Sequence, residues 1–184
     1  MKQRDLFWRL LVVVMVMVMV VGAGLGSGYG ALHDQLSYAL SPDYFTRFKF
    51  IQFELPWAYL RPQMGAAWVG VLDSWWLGAL SGMVLSCMAI LYATPYRMLL
   101  RIGGAMLLVL LTMGLFLLLG LAHGYWRVDE ANALSYQTWL WSGVSDPVAF
   151  VRVGILHIYS YLGALTGLAA GVVYIGHGYR GDRA

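Results

Sequence analysis

Apolar residues occur in four long runs along this chain, at about residues 10–32, 66–96, 102–123 and 147–177. A helix needs about 20 residues to cross the roughly 30 Å of hydrocarbon in a bilayer. Helices also satisfy their backbone hydrogen bonds internally, as the lipid requires. The pattern therefore predicts an all-α polytopic membrane protein, in which a bundle of four transmembrane helices forms a single membrane domain over residues 1–184.

Two long connections, at about residues 33–64 and 124–146, join the first run to the second and the third to the fourth. In the first connection, apolar residues recur at helical spacing with charged residues between them: Phe45, Phe48, Ile51 and Leu55. This spacing predicts a short interfacial helix on the membrane surface. At the end of the second connection, Asp146 and Pro147 suit the cap and first turn of the fourth helix.

Basic residues at the ends of the runs predict the orientation of the bundle. Both tails and the short connection between the second and third runs are basic, through Lys2, Arg4, Arg9, Arg97, Arg101, Arg180 and Arg183. The long connections mix basic with acidic residues. Because cytoplasmic segments carry the excess of lysine and arginine, we expect both termini in the cytoplasm and the long connections on the outer side.

Composition agrees with a membrane location and argues against a nucleic-acid partner. Only 11% of the residues are charged, against about 25% in soluble domains. The net charge of +3 comes from scattered basic residues that form no patch, so the expected partner is the lipid bilayer. The first run also has the form of a cleaved signal peptide. We expect it to be retained, because its length and an even number of spans agree with the charges.

One titratable residue lies near the outer end of each run: His33, Asp73, His123 and His157. Each is 22 to 24 residues from the basic residue at the other end of its run, or about 33–36 Å along a helix. A span ends where polar residues begin, which alone explains His33 and His123. Asp73 and His157 have apolar residues on both sides, and ionisable residues in such positions are functional candidates.

Three imidazoles and a carboxylate are typical ligands of a transition metal, and imidazoles on facing helices also ligate haem b. The candidate metal ligands are therefore His33, Asp73, His123 and His157. Neighbouring groups that would orient these ligands are Asp34, Gln35 and Tyr161. No HExxH, CxxCH or paired carboxylate–histidine motif is present, so the sequence specifies neither an ion nor a reaction. A metal-free polar pocket for protons or a substrate, and purely structural contacts, stay open as alternatives.

Two segments resemble a known family: HDQLSYALSPDYFTRFKFIQF after the first run, and HIYSYLGALTG in the fourth. They are similar to the HDQxSY, SPxYFTxFKFxQF and HxxSYLG segments of small four-span bacterial inner-membrane proteins without an assigned activity. The resemblance implies a bacterial inner (plasma) membrane location and draws attention to His33, Asp34, Gln35 and His157. It implies no substrate, cofactor or reaction. The second run, VLDSWWLGALSG, matches the family only loosely.

Three functions are compatible with these features. The first is a membrane-embedded protein with a polar, metal- or haem-binding site at the outer membrane boundary. The second is a structural or accessory subunit that docks a protein partner through the aromatic outer loops, since aromatic residues anchor interfaces. The third is a small oligomeric transporter, ranked last because the centres of the runs carry no charge. The sequence does not decide whether the protein is an enzyme.

Overall fold

Four long helices make up most of the chain in the computed structural model, which describes residues 2–90, 92 and 94–181. We number them α1 (Lys2–Leu40), α2 (Pro62–Ala89), α3 (Pro95–Arg127) and α4 (Pro147–Gly181). All four contain segments long and apolar enough to cross a membrane, and no strand occurs among the described residues. The prediction of an all-α, multi-pass bundle of four transmembrane helices is confirmed.

Prolines and short polar side chains mark where the helices begin. Helices α2, α3 and α4 each start at a proline, whose missing N–H would be unpaired in a first turn anyway. Asp146 accepts a hydrogen bond from the Ala149 backbone N–H at 2.9 Å, which confirms the predicted cap of α4. Helix α1 continues to Leu40, past the predicted end of its apolar run, so His33 lies within the helix rather than at its end.

The bundle has two different ends. The end at which α1 finishes and α2 starts carries both long connections, residues 41–61 and 128–146, and we call it the loop end. The predicted orientation of this end depends partly on Lys2, Arg4, Arg180 and Arg183. The side chains of the first three, and the whole of Arg183, lie outside the described part of the chain. The cytoplasmic position of the termini therefore stays a prediction.

Close backbone contacts hold α1 antiparallel to α2. A Cβ atom added to Gly30 would overlap the backbone of Gly70, and one added to Gly22 would overlap that of Gly78. Glycines permit this approach because they have no side chain. Gly30 lies one turn before His33, and Gly70 lies one turn before Asp73. The glycine contact therefore brings these two polar residues to the same region of the bundle.

Helix α3 packs on α4 in the same manner. A Cβ atom added to Gly120 would lie 2.8 Å from Cβ of Tyr159, and one added to Gly167 would lie 2.8 Å from Cα of Val109. These distances are shorter than real Cβ contacts allow, so the two helices need glycine at these positions. Glycine at these positions therefore permits the close approach of α3 and α4.

The first long connection contains the predicted short helix, although it buries a different set of side chains. It comprises a π-helix (Tyr44–Lys49), a single helical turn (Phe50–Gln52) and a 3-10 helix (Pro56–Tyr59). Lys49 is only 6% exposed, whereas Ile51 is 51% exposed. A π-helix has a wider turn than an α-helix, so the side chains that face the bundle do not follow the spacing of 3.6 residues. As a result, Lys49 points towards the bundle.

Candidate functional site

A small buried cavity lies near the loop end, and all four long helices contribute to it. Its volume is about 20 Å³, which is room for about one water or ion. Its wall contains the titratable residues His33, Asp34, Asp73 and His157, together with Tyr29, Ser74, Leu77, Met113, Ser160 and Tyr161. The cavity is therefore small, lies among the membrane-spanning helices and has four titratable side chains in its wall.

His33, Asp34 and His157 form the centre of the site, and each is at most 6% exposed. The Oδ1 atom of Asp34 lies 2.8 Å from Nδ1 of His33 and 3.6 Å from Nε2 of His157. The first distance is a hydrogen bond and the second is too long for one. The two imidazole rings meet edge to face, with their centroids 4.6 Å apart. One ligand atom from each of the three residues lies within 4.8 Å of the other two.

Three buried atoms of this group have no hydrogen-bond partner among the described residues. They are Nε2 of His33, Nε2 of His157 and Oδ2 of Asp34. Buried polar atoms are nearly always paired with protein or with ordered water, and each one left unpaired costs about 1–3 kcal/mol. If His33 donates from Nδ1 to Asp34, its Nε2 carries a lone pair. The group therefore offers unpaired electron-donating atoms to an occupant of the cavity.

The charges at the site are compensated unequally. Asp73 has the ammonium group of Lys49 at 2.6 Å. The ion-pair partners of Asp34 among the described residues are the two imidazoles. A buried carboxylate is costly unless a positive charge compensates it. An ionised Asp34 therefore needs a protonated imidazole or a bound cation beside it, and without either the carboxyl group is neutral.

Lys49 is a site residue that the sequence did not indicate. In an amphipathic interfacial segment, a lysine is expected to point towards water. Here its ammonium group reaches Asp73 and lies 5.4 Å from the Phe48 ring centroid and 5.6 Å from that of Phe53. No spacing in the sequence marks this inward position, because it follows from the π-helical geometry of the segment.

Tyr44 holds the ring of His157 from the side of the first connection. The two rings stack with their centroids 4.9 Å apart and an interplanar angle of 28°. Burial raises the pKa of the Tyr44 hydroxyl, and the nearby carboxylates of Asp34 and Asp73 raise it further. Tyr44 therefore stays neutral at physiological pH and acts as a packing partner of the imidazole.

The structure brings some of the predicted candidates together and leaves others apart. His33, His157 and Asp73 share the cavity wall with Asp34 and Tyr161. His123 does not line the cavity, and its Nδ1 lies 2.9 Å from the Tyr159 hydroxyl.

Gln35, which was expected to orient His33, points elsewhere. Its side-chain amide donates a hydrogen bond to the backbone oxygen of Gln63 at 2.7 Å. Asp34 was expected to take the same supporting role, and its Oδ1 atom approaches a nitrogen of each imidazole.

Comparison with family models, with curated proteins and with solved structures gives no match for this chain. A functional assignment therefore depends on the geometry and chemistry of the cavity.

Proposed function

We propose that this multi-pass membrane protein binds a divalent transition-metal ion through His33, Asp34 and His157. One observation carries the proposal: three buried residues present unpaired ligand atoms around a cavity of about one-ion size. Metal–ligand bonds are about 2.0–2.2 Å long, so small side-chain rotations would bring the three ligand atoms onto one ion. A cation would also neutralise Asp34, which lacks a lysine or arginine partner among the described residues.

The ligand set favours a borderline metal ion over haem b. Two imidazoles and one carboxylate are ligands of catalytic Zn²⁺ and of non-haem Fe²⁺, and they leave coordination positions for water or a substrate. Haem b would need flat space for its macrocycle beside an axial imidazole. The rings of His33 and His157 are in edge-to-face contact, and the cavity leaves no such space.

The proposed location is a bacterial inner membrane with both termini in the cytoplasm. The excess of basic residues at the end opposite the loop end supports this orientation. Arg97 and Arg101 lie there at the start of α3, and no acidic residue accompanies them in that connection. The metal site then lies near the outer membrane boundary, within reach of molecules in the outer leaflet.

The accessory-subunit alternative lacks a specific supporting observation. Several of the aromatic residues that suggested a docking surface are used in the protein's own packing. Tyr44, Phe45 and Phe50 are at most 6% exposed and belong to one buried cluster at the loop end. The transporter alternative likewise stays a prediction.

Metal analysis of the full-length protein tests the proposal. The protein is purified in mild detergent from a metal-replete host, and its metal content is measured by mass spectrometry. We expect about one ion per chain, since a preformed set of buried ligands binds a metal stoichiometrically. His157→Gln and Asp34→Asn should each lower the content to near background. His123→Gln is the matched control, because His123 is a span histidine outside the cavity wall, and it should keep the ion.

The proposal fails if folded protein is metal-free and takes up neither Zn²⁺, Fe²⁺ nor Co²⁺ on dialysis. It also fails if His123→Gln loses as much metal as His157→Gln while both variants retain helical circular dichroism. That result would place the metal elsewhere in the chain.

A further inference from the structure

A larger pocket opens beside the metal site and shares part of its wall. It has a volume of about 300 Å³, at the lower end of the range for small-molecule sites. It lies between the first connection, the second connection and α4. Its lining combines six aromatic residues with a few polar ones, and the aromatic residues are Tyr44, Phe48, Trp139, Trp141, Phe150 and Tyr161.

The wall between the pocket and the metal cavity is one side chain thick. His157 and Tyr161 line both spaces. Lys49 lines the pocket, and the carboxylate that it contacts, Asp73, lines the cavity. A molecule in the pocket would therefore lie next to a metal ligand and next to the buried ion pair.

The aromatic walls are arranged to hold a flat molecule. The Phe48 and Trp141 rings pack on each other, with their centroids 5.3 Å apart at an interplanar angle of 33°, and form one aromatic surface of the pocket. A Cβ atom added to Gly154 would lie 3.3 Å from the Trp139 ring, so this glycine lets the indole lie against α4. Aromatic side chains bind planar rings by offset stacking and edge contacts. Acyl chains would instead require aliphatic surface, which only Ile158 supplies here.

The polar groups of the pocket are mainly hydrogen-bond donors. The ammonium group of Lys49 and the hydroxyl groups of Thr138 and Tyr161 suit oxygen acceptors on a ligand. Ile158 lines the pocket and is 44% exposed on α4, so an apolar ligand in a bilayer around the helices could reach the pocket there. The pocket is too small for a whole phospholipid.

We propose that this pocket binds the substrate of the metal site, a planar, membrane-soluble ring compound that carries ring oxygens, of the quinone or phenol class. This inference rests on the proposed metal-binding function. The ring lies against the aromatic side chains, and a ring oxygen points towards His157 and Lys49. The ring compound would then lie next to the metal ion, on the side of the metal site that faces the pocket.

Binding of a radiolabelled, short-chain alkyl benzoquinone to full-length, Co²⁺-loaded protein tests the inference. We expect saturable binding and a change in the visible absorption of Co²⁺. Ile158→Trp should block the pocket and raise the dissociation constant about tenfold, which corresponds to about 1.4 kcal/mol. Leu165→Trp is the matched control, because Leu165 lies two turns further along the same face of α4 and is 60% exposed. It should change the constant less than about twofold, as expected for a surface substitution.

Three outcomes would overturn the inference while leaving the metal site intact. The first is metal-loaded protein that shows no saturable binding. The second is equal binding by the Ile158→Trp and Leu165→Trp variants, which would indicate partitioning into the detergent. The third is equal competition by a fatty acid of the same chain length, which would assign the pocket to acyl chains. Metal content is measured first without the ring compound, so failure of the metal site is recorded separately and overturns both proposals.

Discussion

The two ends of the bundle bury their polar groups in different ways. At the end away from the loops, the hydroxyl group of Tyr92 donates to the backbone oxygen of Ile175 at 2.7 Å within an apolar cluster. At the loop end, two imidazole nitrogens and a carboxylate oxygen have no partner among the described residues. The Tyr92 hydroxyl is thus paired within the protein, whereas the His–Asp group at the loop end is complete only with an occupant.

This difference indicates that the loop end contains polar groups that serve function and not stability. Apolar residues of similar size would pack at the loop end without the desolvation cost of a buried carboxylate. Away from the loop end, the helices are packed together by an apolar cluster that includes Val18, Leu85, Ala89, Met98, Ile102, Ala105 and Val109. Buried polar groups that lower the stability of the fold and have no partner within it are best explained as ligands of a bound ion or molecule. The following predictions test this comparison, from the largest expected effect to the smallest.

Removal of the Lys49 ammonium group should cause the largest loss of stability. Lys49→Met leaves Asp73 without a positive partner inside the bundle, and breaking a buried ion pair from one side costs about 3–5 kcal/mol. The partial exposure of Asp73, whose side chain is 16% exposed, places the expected loss at about 3 kcal/mol. Reversible unfolding in mixed detergent micelles measures it. The double variant Lys49→Met/Asp73→Leu should recover most of the loss.

Arg47→Met provides the control for Lys49, because Arg47 lies in the same π-helix but is exposed. It should change the stability by less than about 0.5 kcal/mol. Equal losses of stability in the two variants would show that the ion pair between Lys49 and Asp73 contributes no more than the exposed charge of Arg47.

The glycine contact between α1 and α2 gives the second prediction. Gly30→Ala adds a Cβ atom that overlaps the backbone of Gly70, and overpacking of this kind costs about 1–3 kcal/mol. It should also lower the metal content, because α1 carries His33 and Asp34. Gly28→Ala is the matched control, since a Cβ atom there meets nothing within 4 Å. It should leave both quantities unchanged or raise the stability by less than about 1 kcal/mol. Similar losses in both variants would contradict the close-contact explanation.

Asp34→Asn should have opposite effects on metal binding and on stability. It removes a buried charge that lacks a lysine or arginine partner among the described residues. The metal-free protein should therefore be unchanged or more stable by about 1 kcal/mol, although the variant no longer binds the ion. Unfolding of metal-free wild type and variant, measured side by side, checks this. A loss above about 2 kcal/mol would identify Asp34 as a structural residue.

The architecture could be predicted from the sequence because lipid imposes a simple rule on it. Four long apolar runs require four helices, and Asp146 with Pro147 suits the start of α4. Part of the site could be predicted from the same rule. His157 and Asp73 stood out because each interrupts an apolar run, and the structure places both at the cavity.

The remaining features of the site depend on helix rotation and on local geometry. His33 and His123 looked equivalent in depth, yet the rotation of α3 directs His123 towards Tyr159. Depth along a helix can be counted in residues, whereas rotation is set by packing against neighbours. An α-helical period would place Lys49 on the polar face of its segment, and the π-helix turns it towards the bundle. Both features needed coordinates.

The smallest expected effect concerns Asp43, a charge at the loop end that is well satisfied and lies outside the spans. Its carboxylate accepts hydrogen bonds from the backbone N–H and hydroxyl groups of Ser145, both at 2.6 Å, and these bonds lower its pKa. Because the folded-state pKa is depressed, the stabilisation is present above the unfolded pKa of about 3.9 and is lost as pH falls through the folded value.

Asp43→Asn should therefore cost less than about 1 kcal/mol at neutral pH. Unfolding of wild type and variant across the acidic range should show the difference shrinking below about pH 4. A difference that is independent of pH would mean that the geometry of the two long connections, and not the charge of Asp43, holds them together.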